Sequence, residues 1–114
     1  MPFIELRTNR QLSPDKKTQI MSDMTDLLAR DLNKPQRMIM VQCRDDQDMM
    51  FGGSNDPLVF IELRSIRLPE AQTGELSQSL ASFVTNHLQI DSDRVFINFS
   101  NVDPHMWGYN GSTF

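Results

Sequence analysis

The chain has only one cysteine among its 114 residues, Cys43, and only two histidines, His87 and His105. A single cysteine cannot form an internal disulfide, and neither histidine lies at metal-ligand spacing from Cys43. The sequence therefore excludes a disulfide framework, and it gives no reason to expect a metal or any other cofactor.

The sequence also lacks a long apolar run and an excess of positive charge. No stretch approaches the roughly 18 apolar residues of a membrane span. The 11 basic residues are scattered, and with 15 acidic residues the net charge is -4. We therefore expect neither a membrane nor a nucleic acid as a partner. No basic segment followed by an apolar one opens the chain, so no secretory signal is visible and a cytoplasmic location is expected.

What is present is the composition of an ordinary soluble protein, with 39% hydrophobic and 23% charged residues. A chain of this length usually forms one domain around one core. We therefore expect a single domain over residues 1–114.

The pentapeptide Phe-Ile-Glu-Leu-Arg occurs twice, at residues 3–7 and 60–64, and the segments after the two copies are also similar. After the first copy, Ser13 is a predicted N-cap, Pro14 suits the first helical position and Asp15 the first turn. Each copy is followed by one helical stripe of apolar residues with the same spacing: Ile20, Met24, Leu27, Leu28 and Leu32, then Leu76, Leu80, Phe83, Val84 and Leu88. The repetition predicts an internal duplication, spanning about 2–50 and 58–105.

Each predicted helix leads into an arginine and a β-rich run, at residues 37–41 and 94–99. Each half is therefore predicted as strand, helix, strand, and a right-handed crossover makes its two strands parallel. Two such β-α-β units predict an α/β fold, a four-stranded sheet with two helices on one face.

Alternation along the strands separates two faces of the predicted sheet. The face toward the helices would carry Ile4, Leu6, Ile61, Leu63, Val95, Ile97 and Phe99. The opposite face would carry the Phe, Glu and Arg of both pentapeptides, with Arg94, Phe96 and Asn98 beside them. Two interpretations of this second face stay open: it is solvated, or it is a subunit interface in which buried charges need partners.

Six short motifs follow one another in a characteristic order. They are Pro2 behind Met1, Asn-Lys-Pro at 33–35, Phe-Gly-Gly-Ser at 51–54, Ser-Ile at 65–66, Asp-Arg-Val-Phe-Ile-Asn at 93–98, and Asn-Gly-Ser-Thr-Phe at 110–114. In this order the chain resembles, over its whole length, the macrophage migration inhibitory factor and D-dopachrome tautomerase family of the tautomerase superfamily. The resemblance implies a homotrimer in which three sheets enclose a central barrel, with an active site at each subunit interface. The resemblance also implies secretion without a leader peptide, which would give the protein an extracellular location as well.

The resemblance implies that Pro2 is the catalytic residue of a keto-enol tautomerase acting on α-keto acids such as phenylpyruvate. Removal of Met1 exposes Pro2 as a terminal secondary amine, whereas behind Met1 its nitrogen is an amide and cannot act as a base. An ordinary α-amino group titrates near ~8. Burial in an apolar pocket lowers that pKa toward ~6 to 7, so the amine could act as a general acid-base near neutral pH.

By position, the resemblance also assigns the substrate contacts. Lys34 would hold the substrate carboxylate, the backbone N–H of Ile66 would bind its second oxygen, and Asn98 of a neighbouring subunit would hydrogen-bond the substrate. Phe3, Phe96, Trp107, Tyr109 and Phe114 would form an apolar wall. Each of these residues also has a purely structural interpretation, as a solvated loop lysine, a sheet asparagine or a packing aromatic.

The chain departs from the family pattern at the predicted wall. Phe96 stands where many members have a tyrosine, so a hydroxyl that could polarise the substrate carbonyl is missing and modest activity is expected. Trp107 and Tyr109 also replace other residues, which would reshape the pocket. The alternative function is a cytokine-like signalling protein with weak or vestigial tautomerase activity, for which no receptor motif is visible. Superfamily decarboxylases and hydratases, which keep the proline base, are a third interpretation.

Overall fold

The computed structural model describes all residues from 1 to 114. Its main elements, in chain order, are β1 (Pro2–Thr8), α1 (Pro14–Asp31), β2 (Met40–Arg44), β3 (Val59–Ile66), α2 (Thr73–Leu88) and β4 (Val95–Val102). A C-terminal hairpin of β5 (Gly108–Tyr109) and β6 (Ser112–Thr113) completes the chain. Single 3-10 turns lie at Gln36–Met38, Glu70–Gln72, Ser92–Arg94 and Pro104–Met106.

The four long strands form one sheet in the order β2-β1-β3-β4. Strands β1 and β2 are parallel, as are β3 and β4, while the two central strands β1 and β3 are antiparallel. The predicted α/β fold of two β-α-β units, with four strands and two helices, is therefore confirmed. Neither helix is long and apolar enough to cross a membrane.

The two copies of the pentapeptide pair with each other in the centre of the sheet. Phe3 lies opposite Arg64, Glu5 opposite Glu62, and Arg7 opposite Phe60. This antiparallel register places an approximate two-fold axis between the two glutamates. The two ends of the paired strands β1 and β3 therefore have equivalent arrangements of residues, and one end can be compared with the other residue by residue.

Both helices cover one face of the sheet. All ten residues of the two predicted apolar stripes are buried, together with the inward residues Ile4, Leu6, Ile61 and Leu63. Val95, Ile97 and Phe99 of β4 are partly buried against the same core. The predicted inward face is confirmed. Burying one such leucine or isoleucine side chain stabilises the fold by roughly 1.5–3 kcal/mol.

Local signals set the limits of α1. The hydroxyl of Ser13 accepts a hydrogen bond from the Lys16 N–H at 3.1 Å, and Pro14 is the first helical residue, as predicted. Beyond the helix, Asn33 adopts a left-handed conformation with φ 53°, and the Lys34 N–H donates back to the Ala29 carbonyl at 3.2 Å. Asparagine tolerates this conformation well, so the chain turns sharply just before Lys34.

Both predicted β-rich runs differ from the observed strands in their limits. The first β-rich run is predicted at 37–41, but its start forms a 3-10 turn and β2 instead extends to Arg44, which pairs with Arg7. The second run is predicted at 94–99, but Arg94 belongs to the preceding turn and β4 continues to Val102. The two strand ends extend because their residues pair with a neighbouring strand. The two starts instead lie in turns closed by local hydrogen bonds, from the Ile39 N–H to the Gln36 carbonyl and from the Arg94 N–H to the Asp91 carbonyl.

Candidate functional site

A cavity of about 330 Å³ lies beside the chain's N-terminus. The register of the sheet places Phe3 between Met40 on β2 and Arg64 on β3, on the face turned away from the helices. The complete lining is Met1, Pro2, Phe3, Met38, Met40, Arg64, Val102, Met106 and Trp107. Seven of the nine are hydrophobic and none is acidic. The cavity suits a ligand with an apolar body and a negative charge.

Pro2 is buried at the first position of β1, where it lies opposite Ser65. Ile66, the last residue of β3, is also buried and pairs with Val102. The side chain of Ser65 donates to the Ile66 carbonyl at 2.8 Å. The start of β1 and the end of β3 are therefore fixed side by side, so a terminal amine at Pro2 would have little freedom.

The terminal amine of the full chain belongs to Met1, and its pKa is lowered from 8.0. Burial is the largest cause, because it disfavours the charged form. The positive charges of Lys34 and Arg67 lower the pKa further. When Met1 is removed, the terminal amine belongs to Pro2, which is buried at the start of β1.

Lys34 and Arg67 reach the amine from two different loops. Lys34 follows the left-handed turn at the end of α1, and Arg67 follows β3 with a left-handed φ of 52° of its own. Neither cation forms an ion pair with an acidic side chain. An anion bound near the amine would meet two positive charges that the fold does not neutralise.

The structure brings together only some of the predicted site residues. Pro2, Phe3 and Trp107 line the cavity, Lys34 lies within electrostatic reach of the amine, and Ile66 is adjacent through Ser65. Four others do not line it: Asn98, Phe96, Tyr109 and Phe114. A single chain therefore presents only a part of the predicted site.

The four remaining residues are largely exposed on β4 and the C-terminal hairpin. Asn98 lies on β4 opposite Glu62, and the ring of Phe96 packs edge-on against Phe51 with centroids 4.7 Å apart. Tyr109 and Phe114 stack on each other, with ring centroids 6.0 Å apart. Exposed aromatic side chains of this kind are available to a second subunit.

Sequence reasoning missed several cavity residues and one neighbour of the amine. Met38, Met40, Met106 and Arg64 line the cavity, and Arg67 lies beside the amine. The chain's eight methionines were a usable signal, because flexible thioether side chains are common in adaptable binding surfaces. Nothing in the sequence indicated which of the eight methionines would lie together in the cavity.

A second cavity, of about 360 Å³, lies at the other end of the central strands. It is lined by Arg7, Gln47, Asp48, Met49, Met50, Phe51, Leu58, Val59, Phe60, Arg94 and Phe96. Phe60 and Val59 occupy the places that Phe3 and Pro2 have in the first cavity. Val59 lies within a continuous chain, so this related cavity has no amine that could act as a base.

Comparison with known proteins places the chain in a family. The family model described as macrophage migration inhibitory factor (MIF) matches residues 1–114. The chain belongs to the macrophage migration inhibitory factor family. Membership implies a tautomerase, which is an isomerase, or a cytokine-like function, and proteins of this family are small and oligomeric.

Individual relatives match over their full lengths. The chain is 38% identical to macrophage migration inhibitory factor of Xenopus tropicalis, covering 100% of this chain and 99% of that protein. It is 36% identical to the Mus musculus protein of the same name, with the same coverage. Among solved structures, the Prochlorococcus marinus homologue superposes with a TM-score of 0.92 at 29% identity, covering 98% of both chains. Sequence and fold therefore agree along the whole chain.

Proposed function

We propose that this family member is a keto-enol tautomerase that uses the amine of Pro2, freed by removal of Met1, as its general acid-base. The observation that supports this most directly is the position of the terminal amine. In the full chain the amine of Met1 lies next to the buried Pro2 and beside an apolar cavity, and burial and two cations lower the pKa of that amine from 8.0. A general base works best when its pKa lies near the working pH.

The proposed substrates are phenylpyruvate and related α-keto acids. The apolar lining, with Phe3 and Trp107, would hold the aryl group, and Lys34 would bind the carboxylate together with the N–H of Ile66. The neutral amine removes a proton from the carbon next to the carbonyl. The electrons of that C–H bond form the C=C bond of the enol and the carbonyl oxygen takes up a proton from water. The protonated amine returns its proton to that water, so the amine is neutral again, and the reverse steps convert the enol to the keto acid.

We further propose that residues 1–114 form one domain and that three copies assemble into a homotrimer. The exposed side chains of Met40, Met50, Phe96 and Met106 and the open outer edges of β2 and β4 are suited to contact with another subunit. Asn98, Phe96, Tyr109 and Phe114 of one subunit would then complete the cavity of its neighbour. Sedimentation equilibrium giving a monomer mass would contradict the assembly.

The function is tested by phenylpyruvate turnover in three forms whose masses are verified. They are the processed protein with Pro2 at its terminus, the Pro2→Gly variant, and a form that retains Met1. We expect full turnover only from the first form and at least about tenfold less from Pro2→Gly. The form with Met1 retained should show no detectable activity, because the Pro2 nitrogen is then an amide and not a base. Equal activity in all three forms would exclude Pro2 as the base.

A cytokine-like role with weak or vestigial tautomerase activity is the second candidate. The observation in its favour is Phe96, which offers no hydroxyl to polarise a substrate carbonyl and packs instead against Phe51. Receptor binding by a processed protein without detectable turnover would support this role. Turnover that depends on Pro2 would favour the enzyme.

A further inference from the structure

Two arginines have equivalent positions in the repeat but different surroundings. Arg10 and Arg67 each lie three residues beyond the last residue of a pentapeptide copy. The guanidinium of Arg10 donates a hydrogen bond to the Leu88 carbonyl at the end of α2. A cation is well placed there, because the carbonyl end of a helix is negative. Arg10 therefore has a structural partner.

Arg67, at the equivalent position after β3, has no such partner. It forms no ion pair, its side chain is exposed, and its backbone has a left-handed φ of 52°. That conformation costs a non-glycine residue about 1–2 kcal/mol. Arg67 follows Ser65 by two residues, and Ser65 lies directly opposite Pro2. This unpaired cation therefore lies near the start of β1, and its charge acts on the terminal amine.

The positive charges near the terminal amine exceed what one carboxylate requires. Lys34 and Arg67 are both without acidic partners, whereas Arg64 of the lining is 3.2 Å from Glu62. No acidic residue lines the cavity. A ligand with one carboxylate would neutralise only one of the two free cations. A ligand with two carboxylates matches both, and complementary charge favours the matching ligand.

We propose that Arg67 is a second anion-binding side chain of the Pro2 site, and that the site therefore prefers ligands with two carboxylates to ligands with one. The inference rests on the proposed function for the location of the site. It narrows the substrate class to α-keto acids that carry a further anionic group. Arg67 is a specificity-determining residue in this proposal, and the proton transfer remains with Pro2.

Binding can be measured without turnover, because Trp107 is the chain's only tryptophan and it lines the cavity. The experiment titrates processed protein at pH 7.5 with 3-phenylpropanoate and with phenylsuccinate, which share the aryl group and differ by one carboxylate. Quenching of Trp107 fluorescence reports binding. We expect phenylsuccinate to bind the unmodified protein roughly three- to tenfold more tightly, the range of one partly solvated ion pair.

Three variants decide the role of Arg67. Arg67→Gln should bring the two affinities to within about twofold, and Arg67→Lys should restore most of the preference. Arg44→Gln removes a free, exposed arginine at the far end of β2 and should leave the preference unchanged. No preference in the unmodified protein, or a preference that survives in Arg67→Gln, would overturn the proposal. Phenylpyruvate turnover, measured alongside, tests the proposed function separately.

Discussion

Glu5 and Glu62 lie directly opposite each other on the two central strands, and the guanidinium of Arg7 contacts both carboxylates. Like charges in direct cross-strand register destabilise a sheet. Glu5 is only 7% exposed, so water cannot compensate for the loss of its partner. Arg7 is therefore the cation that offsets the repulsion between the two glutamates. Its guanidinium also lies 5.7 Å from the centre of the Phe60 ring.

Arg7→Met should lower the free energy of unfolding by roughly 1–3 kcal/mol, because it leaves the buried Glu5 carboxylate without a cation. Urea denaturation at a fixed protein concentration measures the loss. The matched control is Arg64→Met, which removes a more exposed arginine that contacts only Glu62 and should cost less than about 1 kcal/mol. Adding Glu5→Gln to Arg7→Met should recover part of the stability. Equal losses from both arginines would contradict this account.

The pH dependence of turnover should reflect the lowered pKa of the terminal amine. The neutral Pro2 amine is the proposed base, so kcat/KM for phenylpyruvate should fall as the pH decreases through its pKa. We expect this pKa below the ordinary value near ~8, because burial and nearby cations already lower the pKa of the Met1 amine from 8.0. Lys34→Met removes one cause of the lowering, so the midpoint should move upward, toward 8.0. Lys16→Met, near the start of α1, is the control and should leave it unchanged. An unchanged midpoint in Lys34→Met would show that the charge of Lys34 does not lower the pKa of the amine.

Phe96→Tyr should raise kcat for phenylpyruvate, by about tenfold, if β4 of one subunit reaches the cavity of the next. A hydroxyl placed near the substrate carbonyl stabilises the charge that develops on its oxygen. Phe96 is 54% exposed in a single chain, so the added hydroxyl disturbs no core packing and stability should change by less than about 0.5 kcal/mol. Phe51→Tyr changes the adjacent ring and is the control. An unchanged kcat in Phe96→Tyr would argue against this placement.

Arg94 holds the segment between the two halves of the chain. Its guanidinium donates to the carbonyls of Phe51, Ser54, Asp56 and Pro57, at 2.8–3.3 Å. Arg94→Met leaves these carbonyls without a common donor, so amide exchange over residues 51–57 should accelerate. The free energy of unfolding should fall by roughly 1–3 kcal/mol. Arg94→Lys should recover only part of the loss, because an ammonium cannot span four acceptors. Unaltered exchange in Arg94→Met would show that other contacts hold the segment.

The helices were predictable because the signals for a helix are local. Ser13 and Pro14 mark the start of α1, and the apolar spacing in each helix identifies the residues that are buried. The strand limits were less predictable. The sequence around Arg94 suits a strand as well as a turn. In the structure the Arg94 N–H closes a turn on the Asp91 carbonyl at 2.9 Å, and its guanidinium binds carbonyls some forty residues away.

In the candidate site, too, some residues were predictable from the sequence and others were not. Pro2, Phe3 and Trp107 were expected in it and do line the cavity, whereas Met38, Met40 and Met106 were not expected. These methionines come from the segment before β2, from β2 itself and from the turn after β4. Residues so far apart in the chain become neighbours only through the register of the sheet, which no local pattern encodes.

The sequence by itself determined the two β-α-β units and their inward faces, because periodicity, capping and turn preferences act over a few residues. The tertiary structure alone decided what each repeated residue does. Arg10 and Arg67 follow the same pentapeptide at the same distance, yet one caps a helix and the other stays free beside the amine. Their difference comes from long-range packing, which brings different partners to equivalent positions in the two halves.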